Sequence, residues 1–383
     1  MTRSVSLLGS TGSIGTQALE VIARHPDRFD VVALAAGGSQ PQAVIAQARE
    51  FRPRLVAVAA ESAYRQIADA LPGTEVVAGP DAVAQAASIG ADVVLNGVTG
   101  SLGLRPTLAA LAAGSTLALA NKESLVAGGA LVKRAVRSEG QIVPVDSEHS
   151  ALAQALRSGT HGEVKRLVVT ASGGAFRGRT SGDLANVTYA DALKHPTWDM
   201  GPVVTVNSAS LVNKALEVIE AHLLFDIPVD RIHVVVHPQS VIHSMVEFID
   251  GSTIAQASPP DMRLPIALGL SWPDRLADVA SAPDWSVPQS WTFEPLDENT
   301  FPAIRVAREA LAASELHPAV FNAANEECVA AFADDRLPFL GIVQTVRSVV
   351  EAYDGGEAAT VEAVEDAESW ARARARESIT NVG

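Results

Sequence analysis

Val5-Ser-Leu-Leu-Gly9-Ser-Thr-Gly12-Ser-Ile-Gly15 runs from a short apolar strand through a glycine turn into a helix. Glycines at such a turn let the backbone approach a pyrophosphate, which sits at the positive N-terminal end of the helix. The spacing G-x-x-G-x-x-G departs from the commoner G-x-G-x-x-G, so a purely structural turn stays open on this loop alone. Thr11 and Ser13 add hydroxyl donors beside Gly12 and Ile14.

Outward from this loop, apolar runs alternate with helical patterns: Val5–Leu8, Thr16–Arg24, Asp30–Ala35, Pro41–Glu50, Leu55–Val58, Val93–Leu95, Thr107–Ala113, Thr116–Ala120 and Ile142–Val145. That rhythm predicts repeated βα units around a parallel sheet. NAD-binding domains of this kind place an acid on the ribose hydroxyls at the end of the second strand. Here Ala35-Ala36-Gly37-Gly38-Ser39 offers no carboxylate, which removes repulsion against a 2′-phosphate and favours NADP. No arginine stands there either, so the grip would fall to backbone amides and Ser39.

Beyond Asp146 the pattern changes. Leu167–Ala171, Val203–Val206, Ile232–Val236, Val246–Ile249 and Thr253–Ala257 are apolar runs in mixed or antiparallel spacing. The expected organisation is therefore α/β, with an N-terminal Rossmann-like NADP-binding domain (1–147) and a central α/β catalytic domain with a mixed sheet (148–270). An extended Pro-rich linker (271–301) and a C-terminal helical bundle (302–383) follow. Residues 173–202, polar and poor in apolar periodicity, read either as a flexible lid or as an ordinary surface excursion.

A chain of 383 residues, 48% hydrophobic and 19% charged, has ample apolar surface for two or three packed domains. Its net charge of −15 opposes general binding to nucleic acid or anionic membranes, so a phosphorylated ligand needs a local site that overrides the field. The single cysteine, Cys328, excludes an intramolecular disulfide framework and reads as a buried helix thiol. With no extended signal-like segment and no run of about eighteen apolar residues, a soluble cytoplasmic protein is expected.

In Val145-Asp146-Ser147-Glu148-His149 the two carboxylates, read in extended chain, project to one face, and hard oxygen donors of that kind suit Mg²⁺ or Mn²⁺. A solvated strand edge offers the same pair, so a third ligand decides. Glu217 is the candidate: in Asn207-Ser208-Ala209-Ser210-Leu211-Val212-Asn213-Lys214-Ala215-Leu216-Glu217 a capping serine leads into a helix with Asn213 and Glu217 at i, i+4 and Lys214 beside them. A surface Lys214–Glu217 pair is the plain alternative. Ser172, His195, Ser208, Asn213 and Lys214 supply the neutral donors and fixed cation that a phosphate monoester needs. His237 and His243 read as core or hydrogen-bonding histidines.

Taken together, GSTGSIG, LANKESLV, PVDSEHSA, TASGGAFR, HPTWDMG, NSASLVNKALEVIEA, HPQSVIHSMVEF, PPDMRLPIA and NAANEECVAAF resemble, in order, the signatures of the 1-deoxy-D-xylulose 5-phosphate reductoisomerase family. The resemblance implies NADPH-dependent rearrangement and reduction of a phosphorylated deoxyketose with a divalent metal, by a homodimer. It implies Asp146, Glu148 and Glu217 as metal ligands, and Ser147, Ser172, His195, Ser208, Asn213 and Lys214 as substrate and phosphate residues. It further implies Lys122 near the reacting end, and Trp198 and Met262 flanking the substrate. The cofactor residues it implies are Thr11, Gly12, Ser13, Ile14, Gly37, Ser39, Asn121, Glu123 and Gly201. Gly38 departs, because some members carry a lysine or arginine there. A plain NADP-dependent dehydrogenase of another phosphorylated polyol or semialdehyde is the rival enzyme reading, and a non-catalytic nucleotide sensor the rival from another class.

Overall fold

The computed structural model describes residues 2–198 and 200–380. Met1, Asp199 inside the expected lid, and 381–383 at the end of the expected helical bundle lie outside the described residues. The chain forms two compact units, Met1–Ser124 with Val132–Ser150 and Asp261–Ser281, and Leu125–Leu131 with Ala151–Pro260 and Ala282–Gly383.

The first unit is built on a parallel sheet. In chain order it begins β1 (Arg3–Leu8), α1 (Ser13–Arg24), β2 (Phe29–Ala36), α2 (Pro41–Phe51), β3 (Leu55–Val58), α3 (Tyr64–Ala70), β4 (Glu75–Ala78) and α4 (Ala82–Ala87). It continues β5 (Val93–Asn96), α5 (Leu104–Ala112), β6 (Thr116–Leu119), α6 (Lys122–Ala135), β7 (Ile142–Pro144) and α7 (Ser147–Leu156), of which the middle of α6 and the end of α7 count with the second unit. The strand order is β4-β3-β2-β1-β5-β6-β7, so the winding direction reverses between β1 and β5. Ligands of open α/β sheets bind beyond the carboxyl ends of the strands at such a reversal. Val5, Ser6, Leu7 and Leu8 are all fully buried, as expected of a central strand covered on both faces. Ser6 meets its buried hydroxyl by donating to the Ala86 carbonyl at 2.6 Å.

The second unit centres on a five-stranded mixed sheet, β8 (Val164–Ala171), β9 (Ile232–Val236), β10 (Ile242–Phe248), β11 (Thr253–Ala257) and β12 (Glu294–Pro295), ordered β11-β10-β8-β9-β12. Its helices before β9 are α8 (Tyr189–Ala192), α9 (Pro202–Ala209) and α10 (Val212–Phe225). After β11 the chain returns to the first unit as α11 (Arg263–Ser271), whose Ile266, Ala267 and Leu270 join the core of the parallel sheet. Helices α12 (Ala303–Ala313), α13 (His317–Ala333), α14 (Phe339–Glu351) and α15 (Val361–Thr380) complete the second unit. On α15, Val364, Ala367, Ala371, Ala375 and Ile379 are buried at helical spacing, and Arg372 and Arg376 pair with Glu326 and Glu327 of α13. These pairs tie the charged positions of α15 to α13. Among the described residues no helix is long and apolar enough to cross a membrane.

Several local expectations change. Val203–Val206 is helical, because Pro202 opens α9 in its first turn, where a missing N–H costs nothing. Residues 261–281 pack with the parallel sheet, so segments 148–270 and 271–301 do not map onto single units. The expected lid is pinned along much of its length. Phe176 is buried edge-on to Phe339 at 4.8 Å, Tyr189 meets Phe332 at 5.9 Å, and Leu184 and Ala192 are buried.

Candidate active site

The glycine loop shows a division of labour. Gly9 turns at φ +80°, and a Cβ there would stand 2.6 Å from the Gly97 carbonyl oxygen; a Cβ on Gly15 would stand 2.3 Å from that of Gly9. These two glycines exist for close packing of the loops after β1 and β5. Gly12, at an ordinary φ of −80°, is the N-cap of α1 and brings no side-chain cap. The leading N–H groups of α1 are thus left for an anion. Thr11 and Ile14 are half-buried, while Gly12, Ser13, Gly37 and Ser39 are exposed. Gly38 turns at φ +97°, with the Ala60 methyl 3.0 Å from where its Cβ would stand. A side chain at position 38 would therefore be strained on this backbone.

Asn121 is the N-cap of α6. Its Oδ1 accepts from the Ser124 N–H at 2.7 Å, and its Nδ2 donates to the carbonyls of Val98 and, at 2.8 Å, Gly100. The side chain is engaged in shaping the loop after β5, so a direct cofactor contact would fall to its backbone. Glu123 lies half-buried in the first turn of α6.

Asp146 and Glu148 are not in extended chain. Strand β7 ends at Pro144, Ser147 starts α7, and Asp146 Oδ1 accepts from the Glu148 N–H at 3.2 Å, which makes it an N-terminal cap. Lys122 Nζ lies 2.6 Å from Asp146 Oδ2, and His149 Nδ1 lies 3.2 Å from Oδ1. Burial alone would raise the Asp146 carboxyl; Lys122 and then His149 outweigh it and hold the group well below its ordinary range. Ser147 Oγ donates to Glu148 Oε2 at 2.5 Å. Met262, at the start of α11, packs on the core of the same unit.

In the second unit Glu217 and Lys214 are buried, at 1% and 5% exposure, which excludes a solvated surface pair. Asn213 Nδ2 donates to Glu217 Oε1 at 2.5 Å, and Lys214 Nζ donates to Oε2. A carboxylate taken out of water at this depth persists only with such partners. Ser208 lies in the last turn of α9 rather than at a cap; Leu211, at φ +59°, makes the break into α10. Gly174 joins the loop after β8 to that turn, since a Cβ there would stand 2.5 Å from the Ser208 carbonyl oxygen. Gly201 is the exposed N-cap of α9.

His195 Nδ1 accepts the N–H groups of Thr197 at 3.1 Å and Trp198 at 2.8 Å. Its proton is therefore on Nε2, which donates to Ser172 Oγ at 3.0 Å. Burial lowers its pKa from the ordinary histidine value of 6.5. A histidine that folds neutral contributes stability fully present above its unfolded value and lost as pH falls through the folded one. Long-range ¹H–¹⁵N spectra at pH 7 should give the neutral Nε2–H form of His195. A charged ring at pH 7 would refute this. Trp198 lies edge-on to His243 at 6.1 Å. His237 stacks on Phe293 and accepts from the N–H groups of Val241 and Ile242, a structural role.

Family models match the chain in three consecutive stretches: 1-deoxy-D-xylulose 5-phosphate reductoisomerase over residues 5–129, its C-terminal domain over 142–225, and the DXP reductoisomerase C-terminal domain over 257–374. The chain belongs to the 1-deoxy-D-xylulose 5-phosphate reductoisomerase family. The reductoisomerase of Beutenbergia cavernae is 63% identical over 388 residues, covering 99% of this chain and 98% of its own. The solved reductoisomerase of Zymomonas mobilis in complex with NADPH is 40% identical, with a TM-score of 0.94 and 99% of each chain covered. Another solved member, in complex with NADPH, fosmidomycin and magnesium, is 34% identical, with a TM-score of 0.90 and 99% of each chain covered.

Sequence reasoning within this reductoisomerase missed His149, which is fully buried beside Asp146. Once Ser147 is seen to open a helix, His149 falls one turn from Asp146, and that spacing was the available signal.

Proposed function

We infer that this chain rearranges and reduces 1-deoxy-D-xylulose 5-phosphate to 2-C-methyl-D-erythritol 4-phosphate with NADPH and a divalent metal, in non-mevalonate isoprenoid precursor biosynthesis. The observation that carries the reading is Glu217, a nearly inaccessible carboxylate held by Asn213 and Lys214. It supports a site that handles a cation and an anion side by side.

In this reading Asp146, Glu148 and Glu217 are the metal ligands. Three carboxylates, one of them held ionised by Lys122, fit Mg²⁺ or Mn²⁺ and not a soft metal. When bound, the metal polarises the substrate carbonyl and NADPH supplies the hydride. Ser172, His195, Ser208, Asn213 and Lys214 hold the phosphate, and His195 acts as a neutral donor whose ring is oriented by the backbone at 197 and 198. Lys122 stands near the reacting end, Ser147 beside the ligands, and Trp198 and Met262 flank the substrate. Thr11, Gly12, Ser13, Ile14, Gly37, Gly38, Ser39, Asn121, Glu123 and Gly201 form the cofactor set, supported by the uncapped start of α1. Closure around Trp198 excludes water while the aldehyde awaits reduction.

The reading extends to a cytoplasmic homodimer. Following NADPH absorbance on addition of the ketose phosphate tests the function. Turnover should require metal, vanish in EDTA and return with Mg²⁺ or Mn²⁺. Turnover that persists in EDTA would favour a plain dehydrogenase, and none at all from folded, metal-replete protein a nucleotide sensor.

A further inference from the structure

Asn325 on α13 is fully buried. Its Nδ2 donates a 2.9 Å hydrogen bond to Asn207 Oδ1 on α9, and its own Oδ1 has no partner among the described residues. An apolar side chain of the same volume would remove the unpaired Oδ1 but would also take from Asn207 Oδ1, on a residue only 6% exposed, the donor it now has. Packing therefore does not account for the amide; its bond to Asn207 does. The residue belongs to NAANEECVAAF, a stretch to which the chemistry above assigns nothing.

Asn207 immediately precedes Ser208. Helix α9 has only eight residues and no side-chain cap at its start, so its last turn depends on what grips it. Gly174 lies close against the Ser208 carbonyl, and Asn325 holds the same turn through Asn207. Directly beyond, the left-handed Leu211 sets the direction of α10, which carries Asn213 and Lys214. A shift of this turn would move Ser208 and rotate the start of α10 together.

We propose that Asn325 is a positioning residue for the phosphate-holding set: through Asn207 it fixes the last turn of α9, so that Ser208, Asn213 and Lys214 present their donors together. The proposal rests on the reading that these residues hold the substrate's phosphate. In Asn325→Leu, KM for the ketose phosphate should rise about tenfold, with kcat within about twofold and NADPH affinity unchanged. The Kd for inorganic phosphate, measured calorimetrically, should weaken by a similar factor. Unchanged KM and phosphate affinity would overturn the proposal, as would a parallel loss of kcat and NADPH affinity, the mark of a general structural role. If Asn325→Leu does not fold, Asn325→Ala is read by the same criteria. Wild-type protein that binds phosphate without turning over the ketose would sink the functional reading and leave the titration to decide the role of Asn325; protein that binds no phosphate overturns both.

Discussion

Glu217→Gln should lower metal-dependent turnover by roughly three orders of magnitude while NADPH affinity stays within about twofold, because losing an anionic metal ligand removes several kcal/mol of charge stabilisation. Glutamine keeps the size of the side chain but has a single acceptor oxygen, so it can accept from only one of Asn213 and Lys214, which now hold the two carboxylate oxygens. It also lacks the charge. The Lys214 ammonium, with 6% of its side chain exposed, would then lose its counter-ion, and breaking one partner of a buried pair costs about 3–5 kcal/mol at its extreme. A lower melting temperature should therefore accompany the loss of Mn²⁺ binding, read by calorimetry or electron paramagnetic resonance. The cofactor loop belongs to the other unit, so its affinity is the internal control. Full turnover from this variant would remove Glu217 from the metal site.

Lys122→Met should reduce turnover by about a hundredfold at neutral pH and move the acid limb of the pH profile upward, the effect of deleting a neighbouring opposite charge. The sign follows from Asp146. Its folded pKa is depressed well below the ordinary aspartate value, so the carboxylate contributes stability that is present above that value and lost as pH falls through the folded one. Without the Lys122 ammonium 2.6 Å away, burial gains weight against His149 and the pKa rises. Protons then compete with the metal at less acidic pH. The checks are kcat/KM against pH and metal affinity at two pH values. An unshifted acid limb would mean that His149 alone keeps Asp146 ionised.

The parallel sheet was legible because strands buried on both faces read as plain apolar runs, and Gly9 to Gly15 mark the turn between the first strand and its helix. Asp146 and Glu148 were found as residues but given the wrong backbone. A three-residue strand ending in Pro144 leaves little to distinguish a strand end from a helix cap, although aspartate is itself a favoured N-cap residue. Val203–Val206 was misread because three β-branched valines and a threonine carry strand propensity, which the Pro202 start and tertiary packing override. The link between Asn207 and Asn325 spans 118 residues and involves no periodicity, so nothing local could reveal it. Burial of Lys214 and Glu217 was equally hidden, since an i, i+3 pair has the same spacing inside or outside.

Gly38 bears on how cofactor preference can be exchanged between related enzymes. A residue with a side chain at φ +97° is strained, by about 1–2 kcal/mol, and here it would also press on the Ala60 methyl at 3.0 Å. Grafting a lysine or arginine onto position 38 to strengthen the hold on a 2′-phosphate is thus not a one-residue exchange. Residues 36–39 and Ala60 would have to be transplanted together, as a single module.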